Sequence, residues 1–174
     1  MSSRGFRDPE TQRFLGGPQW PARMLELGDC GVGQGFRGAV QTGAYRYLAE
    51  VEGRVLGYID CGTFDRCTVY AGEGADGPII TDSMDVATGS IAFVVDPQLR
   101  RRGLGRAMIV AVMGRPELRS VALFEAGVEP ENTASRRCLQ AAGFHLRSAR
   151  PDLEGMLCYR AWRHASDRSA TLPR

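Results

Sequence analysis

Apolar and polar positions along this 174-residue chain change character near its middle, and the second half is the more regular. Ser90-Ile91-Ala92-Phe93-Val94-Val95 is almost continuously apolar, as a strand buried on both faces should be, and Asp96-Pro97 ends it. Leu104, Met108 and Val112 then recur at helical spacing and predict a helix over residues 103–114. Val121-Ala122-Leu123-Phe124-Glu125-Ala126 reads as the next strand. Asn132 is placed to cap a helix over residues 132–142, with apolar positions at Ala134, Cys138, Leu139 and Ala142 and a stop at Gly143. Residues 144–146 and 156–162 read as two closing strands.

The first half is harder to read. Asp8-Pro9-Glu10 has the form of a helix start, with the helix running to Leu15 and stopping at Gly16-Gly17. Residues 21–27 suggest a second short helix, and the glycine-rich stretch 28–43 reads as a mobile loop. Tyr45-Arg46-Tyr47-Leu48-Ala49-Glu50-Val51 alternates as a strand does, and Glu52-Gly53-Arg54 turns it back into Val55-Leu56-Gly57-Tyr58-Ile59-Asp60. Residues 63–89 mix Gly, Asp, Pro and Thr around one apolar pair, Ile79-Ile80, and are expected to form an irregular excursion. The pattern suggests one domain over residues 1–164 and a frayed tail over 165–174.

Composition narrows the function classes. A formal net charge of +2 is too small to argue for a nucleic-acid partner, and no apolar run approaches the length of a membrane span. The N-terminus lacks the apolar core of a signal peptide, and five cysteines without a C-x-x-C pair suit reduced thiols, so a cytoplasmic location is expected. All 22 basic residues are arginines, which excludes a P-loop lysine and a pyridoxal Schiff base. Two histidines make neither a Ser-His-Asp triad nor a histidine metal site attractive, and no metal is expected.

Candidate chemistry concentrates in Arg100-Arg101-Arg102-Gly103-Leu104-Gly105-Arg106, where a buried strand feeds a glycine-bearing turn and the turn opens a helix. Helix N-termini carry free N–H groups and a partial positive charge that hold anions. Gly103 and Gly105 let a bulky pyrophosphate approach the backbone, and the four arginines suit bidentate phosphate contacts. The same features fit a plain strand-to-helix turn with a solvated basic face. A dinucleotide fingerprint is incomplete here, because Met108 stands where its third glycine belongs.

The stretch 90–114 resembles the acetyl-CoA-binding motif of the GNAT N-acetyltransferase superfamily, R/Q-x-x-G-x-G/A, with Arg100, Gly103 and Gly105 in its three fixed places. Residues 128–144 resemble the helix that closes over the pantetheine arm, and Asn132, Ser135, Leu139 and Gly143-Phe144 match the branch containing the ribosomal-protein N-terminal acetyltransferases. The resemblance implies an α/β fold with a mixed, mostly antiparallel sheet of about six to seven strands flanked by helices. It implies acetyl-CoA as cosubstrate, held by Phe93, Val94, Val95, residues 100–106, Asn132 and Ser135, and direct transfer of acetyl to a primary amine on a small molecule or a peptide N-terminus. It allows pairing of two copies through the last strands, and gives no role to nucleic acid, membrane or metal.

The resemblance leaves the catalytic groups open. The tyrosine that many members use to protonate the departing thiolate is replaced here by Leu139, so the Ser135 hydroxyl is the first candidate acid; Ser135 also reads as an ordinary third residue of a helix. Glu125, interrupting an apolar strand, is the first candidate base, with Asp60 and Asp85 as alternatives; strand alternation also allows Glu125 to point to solvent. Leu139 in the tyrosine place keeps a second reading in view, a degenerate domain that binds acyl-CoA as a sensor or interaction module.

Overall fold

The computed structural model describes residues 31–163, together with Pro9. The two helices expected before residue 28 and the tail after residue 164 lie outside the described residues.

Among residues 31–163, nine strands and two α-helices follow in chain order. The first pair, β1 (Gly35–Phe36) and β2 (Ala39–Val51), is joined at Arg37 and Gly38, whose φ angles of 50° and 81° are both left-handed. That is the two-residue turn whose twist matches the flanking strands. The same device joins β2 to β3 (Arg54–Phe64), through Glu52 and Gly53 at φ 50° and 75°. The expected hairpin therefore forms, while the expected loop over 28–43 is corrected. Its last residues belong to β2, because paired left-handed residues make a turn where glycine content alone suggested mobility.

The expected irregular excursion is also overturned. It contains a hairpin of β4 (Cys67–Gly74) and β5 (Gly77–Met84), paired only with each other, between β3 and β6 (Thr88–Val95). Its strands are mostly half-buried or exposed, and Ile79 is exposed, so no apolar alternation marks it in the sequence. Helix α1 (Leu104–Met113), β7 (Leu123–Val128), α2 (Thr133–Ala141), β8 (His145–Leu146) and β9 (Leu157–Trp162) complete the chain. Strand β7 lies two residues further along the chain than the expected 121–126, and Ala134 on α2 is exposed, not apolar core.

The main sheet has the order β1-β2-β3-β6-β7-β9-β8 and is antiparallel throughout except for β6 and β7. Seven strands, one parallel pair and two helices agree with the expected architecture. Both helices pack on one face. There Ile59, Cys61, Ile91, Phe124 and Tyr159 of the sheet meet Met108, Ile109 and Val112 of α1 and Leu139 of α2. Burial of such side chains contributes about 1.5–3 kcal/mol each. Arg163, just past β9, fastens this layer: its guanidinium donates to the carbonyls of Val121 (2.7 Å), Met113 (2.7 Å) and Leu118 (2.6 Å) and lies 5.2 Å over the Phe124 ring.

The opposite face lies under the β4–β5 hairpin. Arg37 of the β1–β2 turn forms an ion pair with Glu154 of the β8–β9 loop and lies 4.9 Å over the ring of Tyr70 on the hairpin. Strands at the two edges of the sheet are thereby tied to the hairpin and to each other, which requires the sheet to curl.

Candidate active site

The phosphate-binding candidate is built by local geometry. After β6, Asp96 accepts from the Gln98 N–H (3.0 Å) and caps a short turn opened by Pro97. Arg101 and Gly103 then adopt φ 59° and 80°. Alternating left-handed residues turn successive N–H groups toward one concave side, and glycine removes the strain at the second. Helix α1 starts directly after Gly103, so the N–H groups of Leu104, Gly105 and Arg106 have no acceptor within the helix. A Cβ at Gly103 would meet nothing within 4 Å, so the ground in front of this turn is open. Arg101 and Arg102 are exposed and Arg100 is half-buried. Arg106 has a further duty: its Nε donates to the Ala141 carbonyl (2.9 Å), tying α1 to the end of α2.

Gly105 is where the two sequence motifs meet. A Cβ there would lie 2.8 Å from Cys138 Sγ of α2, 3.3 Å from the Phe93 ring and 3.6 Å from Val95 of β6. Only glycine allows the three elements to close up at this point. Phe93 and Val95 thus face the helices. Val94 points to the other face, buried opposite Tyr58, and only its backbone is available to the helix side.

Strands β6 and β7 pair in parallel over only three positions, Thr88↔Leu123, Gly89↔Phe124 and Ser90↔Glu125. Beyond these β6 runs on to Val95 and β7 to Val128 with no ladder between them. The strands split, and the unpaired backbone edges line a slot that leads from the α1 turn toward Ser90. Helix α2 borders this slot: Asn132 Oδ1 caps the Ser135 N–H (3.1 Å), and Arg136 donates to the Tyr159 hydroxyl (3.0 Å) and the Pro130 carbonyl (2.9 Å). Ser135 is half-buried in the first turn, whereas Leu139, in the tyrosine place, is fully buried core.

The face away from the helices carries the carboxylates. Glu125 is neither solvent-directed nor unpartnered. It accepts from Arg160 Nε (2.6 Å) on β9, its cross-strand neighbour, and from the thiols of Cys67 and Cys158, each at 3.5 Å. Arg160 also donates to Cys67 Sγ (3.0 Å). Burial pushes both thiols up to about 12, so they stay protonated and serve as donors. None of these three partners was singled out in the sequence, although a carboxylate inside an apolar strand demands a counter-charge. The signal was Arg160, an arginine alternating with apolar residues in a closing strand.

Asp60 stands on the central strand β3, across from Ala92 of β6 and Arg46 of β2. It is 9% exposed, and burial raises its carboxyl from 3.8 to about 6, opposed by hydrogen bonding from the Ala92 amide and Tyr58 and by the charge of Arg46. Asp85 is exposed, directly after β5. His145 is exposed. Among the described residues no group of His, Cys, Asp and Glu has the arrangement to hold a metal ion, and no helix is long and apolar enough to cross a membrane.

A strand that splits from its neighbour, an anion-binding turn at the head of the split and a capped helix along its side can hold an extended, phosphate-bearing thioester. Known proteins share this fold. Over nearly its whole length the fold superposes on the aminoglycoside acetyltransferase AAC(6')-Ib solved with coenzyme A, at a TM-score of 0.62 with 16% identity, covering 97% of this chain and 91% of that one. The same enzyme with ribostamycin and coenzyme A gives 0.61, again at 16% identity, covering 98% and 91%. In sequence, the chain is 33% identical over 88 residues to the uncharacterized N-acetyltransferase YfmK of Bacillus subtilis (strain 168), a match covering 51% of this chain and 59% of that relative. The chain thus spans less than two thirds of YfmK. The acetyltransferase (GNAT) family model matches residues 19–144, across the split strands, the turn and both helices that meet at Gly105, and the chain belongs to that family.

Proposed function

We propose that this protein moves an acetyl group from acetyl-CoA directly to a primary amine. One observation carries the reading: the left-handed turn at Arg101 and Gly103 delivers the free N–H groups of α1 to the head of the slot between β6 and β7. The residues present fit the cosubstrate. The turn suits its pyrophosphate, Arg100, Arg101 and Arg102 its further phosphate charge, and the unpaired edge of β6 its pantetheine amides. An N–H of β6 near Val95 polarises the thioester carbonyl, and developing negative charge there is stabilised by a donor already in place.

The amine attacks as the free base, the C–S bond breaks, and the sulfur takes a proton. The half-buried Ser135 hydroxyl on α2 supplies that proton in this reading, since Leu139 is committed to the core. A carboxylate on the opposite face, where the candidates Glu125 and Asp60 both stand, receives the proton of the incoming ammonium. The structural relatives bind aminoglycosides, and the match of Asn132, Ser135 and Gly143-Phe144 to the ribosomal-protein branch adds peptide N-termini, so both acceptor classes belong in an amine screen.

Thermal unfolding with acetyl-CoA, CoA, ADP and NAD tests the cosubstrate. At about a hundred times its dissociation constant a ligand adds roughly 2.7 kcal/mol, a shift of about 5–10 °C. A larger shift with acetyl-CoA than with ADP is expected. The absence of any shift with either CoA species would overturn the proposal.

A further inference from the structure

We infer that Asp60, and not Glu125, is the carboxylate that takes the proton from the acceptor ammonium, with Glu125 fixed in place as a positioning residue; this rests on the acetyl-transfer reading above. Both carboxylates lie on the face opposite the helices. Cross-strand register carries that face from Asp60 to Ala92 and from Ser90 to Glu125, so the two flank the point where β6 parts from β7.

Their surroundings differ in kind. Glu125 is held by three donors from β4 and β9: the Arg160 guanidinium on one oxygen with the Cys158 thiol, and the Cys67 thiol on the other. A proton taken there would have to displace a 2.6 Å charge-assisted hydrogen bond in a buried ion pair, which is costly. Asp60 accepts from two neutral donors, the Tyr58 hydroxyl at 3.4 Å and the Ala92 amide, with the charge of Arg46 acting on it from β2. The charged and titratable groups that act on it or feel it among the described residues are Arg46 on β2 and Tyr58 on its own face, and Cys61 next to it on the helix face. Burial pushes Tyr58 and Cys61 up to about 12, so neither competes for the proton near neutral pH. Ala92, opposite Asp60, is two residues past the last ladder pair and therefore already on the free stretch of β6.

The proton balance closes. Asp60 takes one proton from R–NH3+, the freed amine forms the C–N bond as the C–S bond breaks, and the second nitrogen proton goes to the sulfur by way of the Ser135 hydroxyl. Asp60 then returns its proton to solvent. The products are the amide, CoA thiol and one proton.

The test measures CoA release against pH, from 5 to 9, for the wild type, Asp60→Asn, Asp60→Glu and Glu125→Gln, on a panel of kanamycin, a free peptide N-terminus and spermidine. Thermal shift with acetyl-CoA runs beside it, to show that each variant is folded and binds cosubstrate. The wild-type rate should rise through an inflection near pH 6. Asp60→Asn should keep the thermal shift, lose about 100-fold or more in kcat and lose the inflection, while Asp60→Glu should recover part of the rate with the inflection restored. Glu125→Gln should lower the rate less and keep the inflection. Asp60→Asn within threefold of wild type, or loss of the inflection in Glu125→Gln alone, would overturn the inference and leave the acetyl-transfer reading standing. A wild type with no acetyl-CoA shift would sink both.

Discussion

The two faces of the sheet are built in opposite ways. On the helix face, the proposed cosubstrate site comes from neighbours in sequence: β6, the turn at Arg101 and Gly103, and α1 follow one another, and α2 joins them at Gly105. On the other face, the chemical groups come from distant segments. Arg46, Asp60, Cys67, Glu125, Cys158 and Arg160 lie on five different strands. Cosubstrate binding needs a turn and a helix end, which short segments supply. Proton handling needs carboxylates in contrasted environments, and those only a sheet can assemble.

The comparison is tested most severely at the rim of the helix face. Arg163→Met removes three hydrogen bonds from a guanidinium to backbone carbonyls and leaves those acceptors half-buried. A loss of about 3–5 kcal/mol in denaturant unfolding is expected. A loss under about 1 kcal/mol would mean that the α1 end and the chain after it stand without this clamp.

A second effect has the opposite sign. The Asp60 carboxyl is raised from 3.8 to about 6 in the folded chain, so the native state holds its proton more tightly than the unfolded state. Stability from this group is therefore complete below about pH 4 and falls as pH rises to about 6, by about 3 kcal/mol in all. Asp60→Asn should unfold at a higher temperature than wild type at pH 7.5, less whatever Arg46 loses, and the gap should close at pH 4.5. A gap that widened toward acid would contradict the buried, ionised carboxylate.

The smallest effect is expected at the curl of the sheet. Arg37→Met breaks the pair with Glu154 and the stacking on Tyr70, but both Arg37 and Glu154 are partly solvated, at 33% and 54% side-chain exposure. Unfolding should move by about 1 kcal/mol or less, and less again in high salt. A much larger loss would show the edge-to-edge tie to be a main support of the fold.

Several parts of this structure were legible beforehand for a common reason. The β6 strand, the α1 boundaries at Gly103 and Gly114, the Asn132 cap and the Gly143 stop each depend on residues within one turn of themselves. The turn at Arg37-Gly38 was equally local but escaped notice, because an arginine is an uncommon left-handed residue. The β4–β5 hairpin escaped because a strand pair lying over a sheet, with one side in solvent, shows no alternation to find. Glu125 drew attention as an acid in an apolar strand, but whether it was bare, solvated or paired depended on Arg160, 35 positions on.

By itself the sequence determined the order of elements in the second half, the conformation of the turn that opens α1, and the close approach at Gly105. These are decided by φ preferences, caps and the absence of a Cβ, which act over a few residues. Only the tertiary structure decided that Glu125 is ion-paired with Arg160 while Asp60 is buried opposite Ala92, where β6 and β7 part, and that the β1 turn meets the β8–β9 loop. Those outcomes depend on strand order and register, which bring together residues up to 117 positions apart, and on burial, which no residue possesses alone.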